Sequence, residues 1–514
     1  MLNIMIEAEQ HHQRKEVGNM KKHILAIDVG TTSMRGILYN EAGKALGMKS
    51  IQTPLIFVGD YIEQSPSVYR EALIHICRSC SSLGKIDAVT LTAYRSAPTL
   101  VDEEGNALTN FIMWQDTRNR HIYSRLLPHN DQVHRITGAG INTVFTGSKI
   151  TWWKENEPEL FGRAYKAMIV PDYLMMLMTG VFATDYTYGS RTSLMNIHTL
   201  SWDETMCELF NLTPSVMSDL IPQGSIYGYV TEGFAAQGGL PVGIPVISAG
   251  GDQQCGALGL GSLNDSSLVI NCGTGSFILG LSKEVYTQTA SAICNVSALK
   301  GKYVIESNVL ASAAALNWFI RELTPDLWNN GSPDFTAFNQ LAAASTPGAN
   351  GIICVPLFQG CGTRDWNPSA RASFSNISLS ATRADMARAL LEGIAAEIVQ
   401  SIRALPEKFQ KGETAFLGGG LTKSDLFDQI LADMSGKKLT RYEDTQSTAI
   451  GAFISAATTL GIYPDEQAAF DVTHCDMEAH VFLPDANRHS FYQKLIDNAD
   501  TTYRLLGTQK GDPS

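Results

Sequence analysis

Two distant segments of this chain share one pattern, and together they limit the folds open to it. Ile24-Leu25-Ala26-Ile27-Asp28 reads as a buried strand that breaks at Gly30-Thr31-Thr32-Ser33 and resumes as a second strand from Met34 to Tyr39. Val269-Ile270-Asn271-Cys272 breaks in the same way at Gly273-Thr274-Gly275 and resumes from Ser276 to Leu281. A chain of 514 residues is too long for one hydrophobic core. Two halves that each open with strand, Gly-Thr turn and strand suggest an ancient duplication, with a boundary near residue 260. Between the turns lies Ala249-Gly250-Gly251-Asp252-Gln253-Gln254-Cys255-Gly256, which sets a lone carboxylate where the apolar stretch Pro245 to Ser248 ends. A carboxylate at a strand's end can face a cleft as a general base, because the loops at strand ends carry much of the chemistry of α/β sheets.

The backbone amides and hydroxyls of Thr31, Thr32 and Ser33 can wrap a phosphate, with Asp28 holding a magnesium ion through water. An ordinary hairpin turn fits that segment equally well. Gly43, Gly47, Lys49 and Ser50 imitate a P-loop, but the spacing is one residue short and no helix follows the serine. Further on, a strand from Ala88 to Ala93 ends in Tyr94-Arg95-Ser96, and Ile112 to Arg118 reads as another strand ending in polar groups. Arg95, Gln115 and Asp116 at those ends offer the mixed donors and acceptors that suit a polyhydroxylated ligand. The bland alternative is that Asp116 and Arg118 only begin the next helix.

Helical spacing predicts an amphipathic helix from Thr146 to Glu155, and a Met-rich one from Asp172 that Gly180 stops. The clearest helix runs from Thr382 to Leu405, opened by a Thr382/Asp385 capping box and ended by Pro406. After a short strand, Ala415-Phe416-Leu417, the triple glycine Gly418-Gly419-Gly420 opens a helix from Leu426 to Met434. Such a loop lets a flat ring or phosphate lie against backbone, although a glycine turn needed only for close packing looks the same. Gln446 begins a further helix of small residues.

A net charge of −12 argues against a nucleic-acid surface. No apolar run approaches the roughly 20 residues of a membrane span. Nine scattered cysteines, with no secretory apolar region near the start, favour reduced thiols in the cytoplasm. Cys77 and Cys80 form the single CxxC and lack a second ligand pair, so helix packing is expected of them rather than a metal. Residues 1–20 read as a loose N-terminal extension, with Met20 a possible start.

The chain resembles the FGGY carbohydrate kinases, which include glycerol, xylulose, gluconate and ribulose kinases. Six motifs occur in that family's order: Asp28-Val29-Gly30-Thr31-Thr32-Ser33, Trp114-Gln115-Asp116-Thr117-Arg118, Asp172-Tyr173-Leu174, Gly251-Asp252-Gln253-Gln254, Gly273-Thr274-Gly275 and Gly418-Gly419-Gly420. The resemblance implies an α/β fold of two actin-like ATPase (ribonuclease H-like) domains flanking a deep cleft, at 21–260 and 261–506, with a tail at 507–514. It implies ATP and Mg2+ as cofactors, with Asp252 as catalytic base and Asp28 beside the metal. Gly30, Thr31, Thr32 and Ser33 match one phosphate loop and Gly273, Thr274 and Gly275 the other, while Gly419, Gly420 and Ser424 match the adenosine-side loop. Arg95, Trp114, Gln115, Asp116, Asp252 and Gln253 fall on the side of the sugar or polyol acceptor. A homodimer is expected.

Departures bear on the acceptor. Glycerol kinases carry Asn-Gln-Arg-Glu where this chain has Ala93-Tyr94-Arg95-Ser96, and a tyrosine where Val144 stands. Losing two groups that hold glycerol hydroxyls favours a larger sugar, ketose, sugar acid or polyol, with glycerol as the alternative. Phe358 to Arg364 departs from the usual Gly-Glu-Arg pattern, and Gln446 replaces a common glutamate. Two further readings of the same fold, an actin-like ATPase of the chaperone or filament kind and a catalytically weak regulatory homologue, are disfavoured by the intact Asp28 and Asp252.

Overall fold

A computed structural model describes residues 22–329, 331–443 and 446–507. The expected extension at 1–20 and all but the first residue of the expected tail lie outside them. Two large mixed sheets carry the architecture. Strands of the first are β1 (Ile24–Val29), β2 (Ser33–Tyr39), β3 (Ala45–Gln52), β4 (Ala88–Ala93), β5 (Ser225–Tyr229) and β6 (Pro245–Gly251). Those of the second are β7 (Leu268–Cys272), β8 (Ser276–Ser282), β9 (Ile293–Val296), β10 (Tyr303–Val309), β11 (Thr414–Gly418), β12 (Lys438–Tyr442) and β13 (Ala479–Phe482).

The spatial order is β3-β2-β1-β4-β6-β5 in one sheet and β9-β10-β8-β7-β11-β12-β13 in the other. Each opening hairpin is antiparallel, the next two strands run parallel to its first strand, and an antiparallel strand closes the edge. The third strand is antiparallel to the second in both sheets. Strand for strand, β3-β2-β1-β4-β6 repeats as β10-β8-β7-β11-β12, which is the arrangement a duplication would leave. β5 and β13 occupy equivalent edges but come before β6 and after β12 in the chain, so each copy supplied its own edge strand.

Seven helices place the site: α1 (Pro66–Ser81), α2 (Thr146–Asn156), α3 (Val170–Thr179), α4 (Asp252–Gly259), α5 (Arg383–Arg403), α6 (Asp425–Ser435) and α7 (Ser447–Thr459). α5 begins with the reciprocal Thr382/Asp385 capping box, a device typically contributing about 1 kcal/mol. Gly180 ends α3 in the left-handed conformation, and Met175, Met176 and Met178 fill core space. Cys77 and Cys80 are buried along α1, and burial pushes both thiols up, so they serve packing. Among the described residues no helix is long and apolar enough to cross a membrane.

Two local expectations are corrected. Every residue of α2 from Thr146 to Trp153 is buried, so that helix is enclosed rather than amphipathic. The segment Ile112 to Arg118 is not a strand: only Phe111–Ile112 pairs, because Asp116 turns the chain by gathering donors from both sides.

α4 leaves the first sheet and α7 belongs to the second half of the chain, yet the two lie backbone against backbone. A Cβ on Gly451 would stand 1.8 Å from the Cys255 carbonyl oxygen, and one on Gly259 would stand 1.9 Å from that of Ser447. Only glycine permits this approach. The apolar cluster around the crossing draws Ile24, Ala26, Ile247 and Ala249 from the first sheet, Val269, Leu279 and Leu281 from the second, and Ala449, Ile450 and Phe453 from α7.

Candidate active site

The site grows from the end of β6. A bulge between Ser248 and Gly250 shifts β6 against β4, and Gly250 takes φ +114°, open to glycine alone. Its carbonyl accepts from the Thr92 hydroxyl at 2.8 Å and the Tyr188 hydroxyl at 2.9 Å. The Gly251 N–H donates to Thr187 Oγ1 at 2.9 Å, and Thr187 in turn donates to the buried Asp185 carboxylate at 2.5 Å. Thus pinned, Gly251 caps α4 and Asp252 falls in its first turn.

Asp252 keeps 26% of its side chain open. Its Oδ1 accepts from the Gln253 N–H at 2.7 Å and faces Arg95 Nε at 3.7 Å. Burial pushes this carboxyl above the ordinary range, against the pull of Arg95. Asp28, at the end of β1 and paired in register with Arg35 of β2, is pushed up to about 6. Burial is the main cause; Arg35 opposes it, and the nearby negative charge of Asp252 adds to it. Gln446, one of the departures from the family pattern, accepts from Arg35 Nη1 at 3.4 Å and so ties α7 to this corner.

Arg95 sits between Asp252 and Glu306, with Nη1 at 3.9 Å from Glu306. Glu306 comes from β10 of the second sheet and pairs with Arg191 at 2.5 Å. Burial would raise the Glu306 carboxyl, but Arg191 and Arg95 together hold it below its usual range. Two arginines from the first half thus meet a glutamate from the second beside Asp252. Sequence reading passed over Arg191 and Glu306. A charge within the otherwise buried strand Tyr303–Val309 was the available signal for Glu306; Arg191 carried none.

Arg95 Nη1, Gln115 Oε1 and Gln253 Oε1 are among the buried side-chain polar atoms of the described residues that have no hydrogen-bond partner. Each is an unused hydrogen-bonding capacity on a residue expected to meet the acceptor. Trp114 is exposed, with Nε1 donating to Thr31 Oγ1 at 3.3 Å, which joins the acceptor side to the first glycine turn. Asp116 is a correction. It is 0% exposed, and its oxygens accept from the Ile62 N–H at 2.7 Å and from Arg118 at 2.8 and 3.0 Å, so it braces the loop and offers a ligand nothing.

The turn Gly30–Ser33 is closed by the Gly30 N–H donating to the Ser33 carbonyl at 2.9 Å and leaves Thr32 exposed. Its counterpart is closed between Gly273 and Gly275, with Thr274 exposed. Gly419 packs against the end of β7, where a Cβ would meet the Cys272 carbonyl oxygen at 2.4 Å; beside Gly420 the space is open. Ser424 caps α6 by accepting from the Phe427 N–H at 3.2 Å and donates to Asn339 at 2.9 Å, so its hydroxyl is already spent. The departing loop Phe358 to Arg364 is anchored by the Thr363 hydroxyl on Asn308 Oδ1 at 2.6 Å and by Arg364 on Asp500 at 3.2 Å.

The family model for the FGGY family of carbohydrate kinases, N-terminal domain, matches residues 23–259, and that for the C-terminal domain matches residues 268–460. The chain belongs to the FGGY family of carbohydrate kinases. As an FGGY kinase it is a phosphotransferase that acts on an alcohol group of a sugar or polyol. It is 28% identical to a xylulose kinase of Bacillus subtilis over 485 residues, which covers 93% of this chain and 95% of that one. It is also 28% identical to a glycerol kinase of Mycoplasmoides gallisepticum over 495 residues, covering 93% and 96%. In fold, this FGGY kinase is similar to a xylulose kinase from Lactobacillus acidophilus (TM-score 0.88, 24% identity, 96% and 100% coverage). It is similar too to a glycerol kinase of Plasmodium falciparum solved with ADP (TM-score 0.85, 23% identity, 94% and 98% coverage).

Proposed function

We propose that this kinase transfers the γ-phosphoryl group of ATP to a hydroxyl of a sugar, sugar acid or polyol larger than glycerol, with Asp252 as general base. The observation that carries the reading is Asp252 itself, a partly open carboxylate pinned at the end of parallel strands and facing the Arg95 cation. Mg·ATP would supply the electrophilic phosphorus and neutralise the charge that builds on the transferred group. The residues present fit it: two glycine turns offer backbone amides, one from each sheet, and Asp28, raised by burial beside a second carboxylate, gains from a nearby divalent cation. Asp252 accepts the proton of the attacking hydroxyl. Arg95, Gln115 and Gln253 orient the acceptor, and Trp114 forms an apolar wall for a sugar face.

Relatives equally similar to this chain are named for xylulose and for glycerol, so the acceptor is argued from the pocket. Val144 has no hydroxyl to offer. Ser96 is 2% exposed, adopts φ +68° and turns its own hydroxyl to the Arg191 carbonyl at 3.5 Å. Neither reaches out to a three-carbon ligand, which favours an acceptor with more carbons. ADP release measured across pentoses, hexoses, sugar acids and polyols tests this. A glycerol kcat/KM above that of every larger acceptor refutes the size argument, and no ADP release with any acceptor refutes the proposed reaction.

A further inference from the structure

Lys149 lies on α2 with 0% of its surface exposed, and it plays no part in the chemistry described above. Its Nζ donates to the carbonyls of Met113 at 2.7 Å, Val144 at 3.0 Å and Ser96 at 3.1 Å. An ammonium has three N–H donors, so all three are used, and all three on backbone oxygens. Among the described residues no carboxylate pairs with it: the charges that act on it are those of Asp116 and Arg118, which are opposite in sign and already bound to each other. Burial pushes the amine down to about 7. An aliphatic side chain would occupy this volume without that desolvation cost, so what lysine adds is the three-point tie.

The tied carbonyls belong to three loops of separate origin. Ser96 follows Arg95 at the end of β4, Met113 precedes Trp114 and Gln115, and Val144 occupies the position that departs from glycerol kinases. Each loop therefore carries a residue assigned to the acceptor, and one nitrogen fixes their mutual distance. Asn119 adds a second strut, donating to the Thr143 carbonyl at 3.0 Å and to Ser148 Oγ at 2.6 Å.

We propose that Lys149 is a positioning residue which sets the width of the acceptor pocket by holding the backbone at Ser96, Met113 and Val144 to one point. This rests on the assignment of that pocket to the acceptor. Removing the tie should leave nucleotide handling alone, because Gly30–Ser33 and Gly273–Gly275 are held by their own bonds.

The test compares wild type with Lys149→Met in two measurements. In amide hydrogen exchange of the full chain without ligands, residues 94–97, 112–116 and 142–146 should exchange at least tenfold faster in the variant, with both glycine turns unchanged. In ADP release with D-xylulose, D-gluconate and glycerol as probes, KM for whichever wild type uses best should rise at least tenfold, with KM for ATP within twofold. Unchanged exchange in the three loops overturns the tie. Faster exchange spread through the whole first sheet overturns it as well, by showing a general structural post. Loosened loops with an unaltered acceptor KM overturn the pocket role. If wild type uses none of the probes, the acceptor assignment fails, while the exchange data still decide whether Lys149 holds the loops. Should Lys149→Met not fold, Lys149→Gln, which keeps an N–H donor, is read by the same criteria with a smaller effect.

Discussion

Asp252 holds a position that a bland helix-capping aspartate would not need: Gly251 is the cap, and Asp252 stands one residue inside. If its task is to accept a proton, the amide of asparagine cannot replace it. Asp252→Asn should fold and bind ATP as wild type does and lose on the order of 10²–10⁴ in kcat; turnover within about threefold of wild type would return the residue to a structural role. Because burial raises the Asp252 carboxyl, kcat/KM should fall on the acid side at a pH above the usual carboxylate range. Lys149 gives the opposite kind of signal, in stability. Its amine sits near 7 in the folded chain and near 10.5 when exposed. Between those values the unfolded chain binds the extra proton, so this residue's penalty is complete below about pH 7 and fades as pH rises towards 10. Urea midpoints should therefore climb over that interval in wild type, and less steeply in Lys149→Met.

At the scale of elements, the strand-to-helix turn at β6 and α4 is where local geometry governs the chemistry. Gly251 has φ −64°, which alanine adopts freely, but an added Cβ would stand 2.8 Å from Arg95 Cδ and 2.6 Å from Gln254 Oε1. Gly251→Ala should displace Arg95 and cost on the order of 10- to 100-fold in kcat/KM for the acceptor, with a small shift in melting temperature. A large loss of stability with unaltered kinetics would show that the turn, and not Arg95, bears the strain. Such turns were legible in the sequence because strand, glycine turn and helix leave local marks, and so were the caps at Thr382 and Gly180. The Asp116 turn was not. Its apolar lead-in, Phe111 to Met113, reads as strand, and the partners that bend it, Ile62 and the Arg118 side chain, are chosen only in the folded state. Arg191, Glu306 and Lys149 stayed hidden for the same reason, since a buried charge is defined by neighbours distant in sequence.

Across the whole molecule, the repeated strand order places one glycine turn of each copy at the end of its own leading hairpin. If both turns hold one nucleotide, the sheets should close on it as units. With Mg·ATP and an acceptor both bound, X-ray scattering should report a smaller radius of gyration than for the free chain; superimposable profiles would mean that the site is already closed. The backbone crossing of α4 and α7 constrains more than motion. Each copy has a core largely of its own, but Ile24, Val269 and Ile450 share a further apolar cluster, so parting the copies exposes apolar surface on both. Cutting the chain at Asn264 should leave two fragments that aggregate when made singly and assemble one-to-one when made together, as size-exclusion chromatography would show. The approach of Gly259 and Gly451 turns the seam between the copies into common ground, so a split gene should restore activity only when both fragments are synthesised in the same cell.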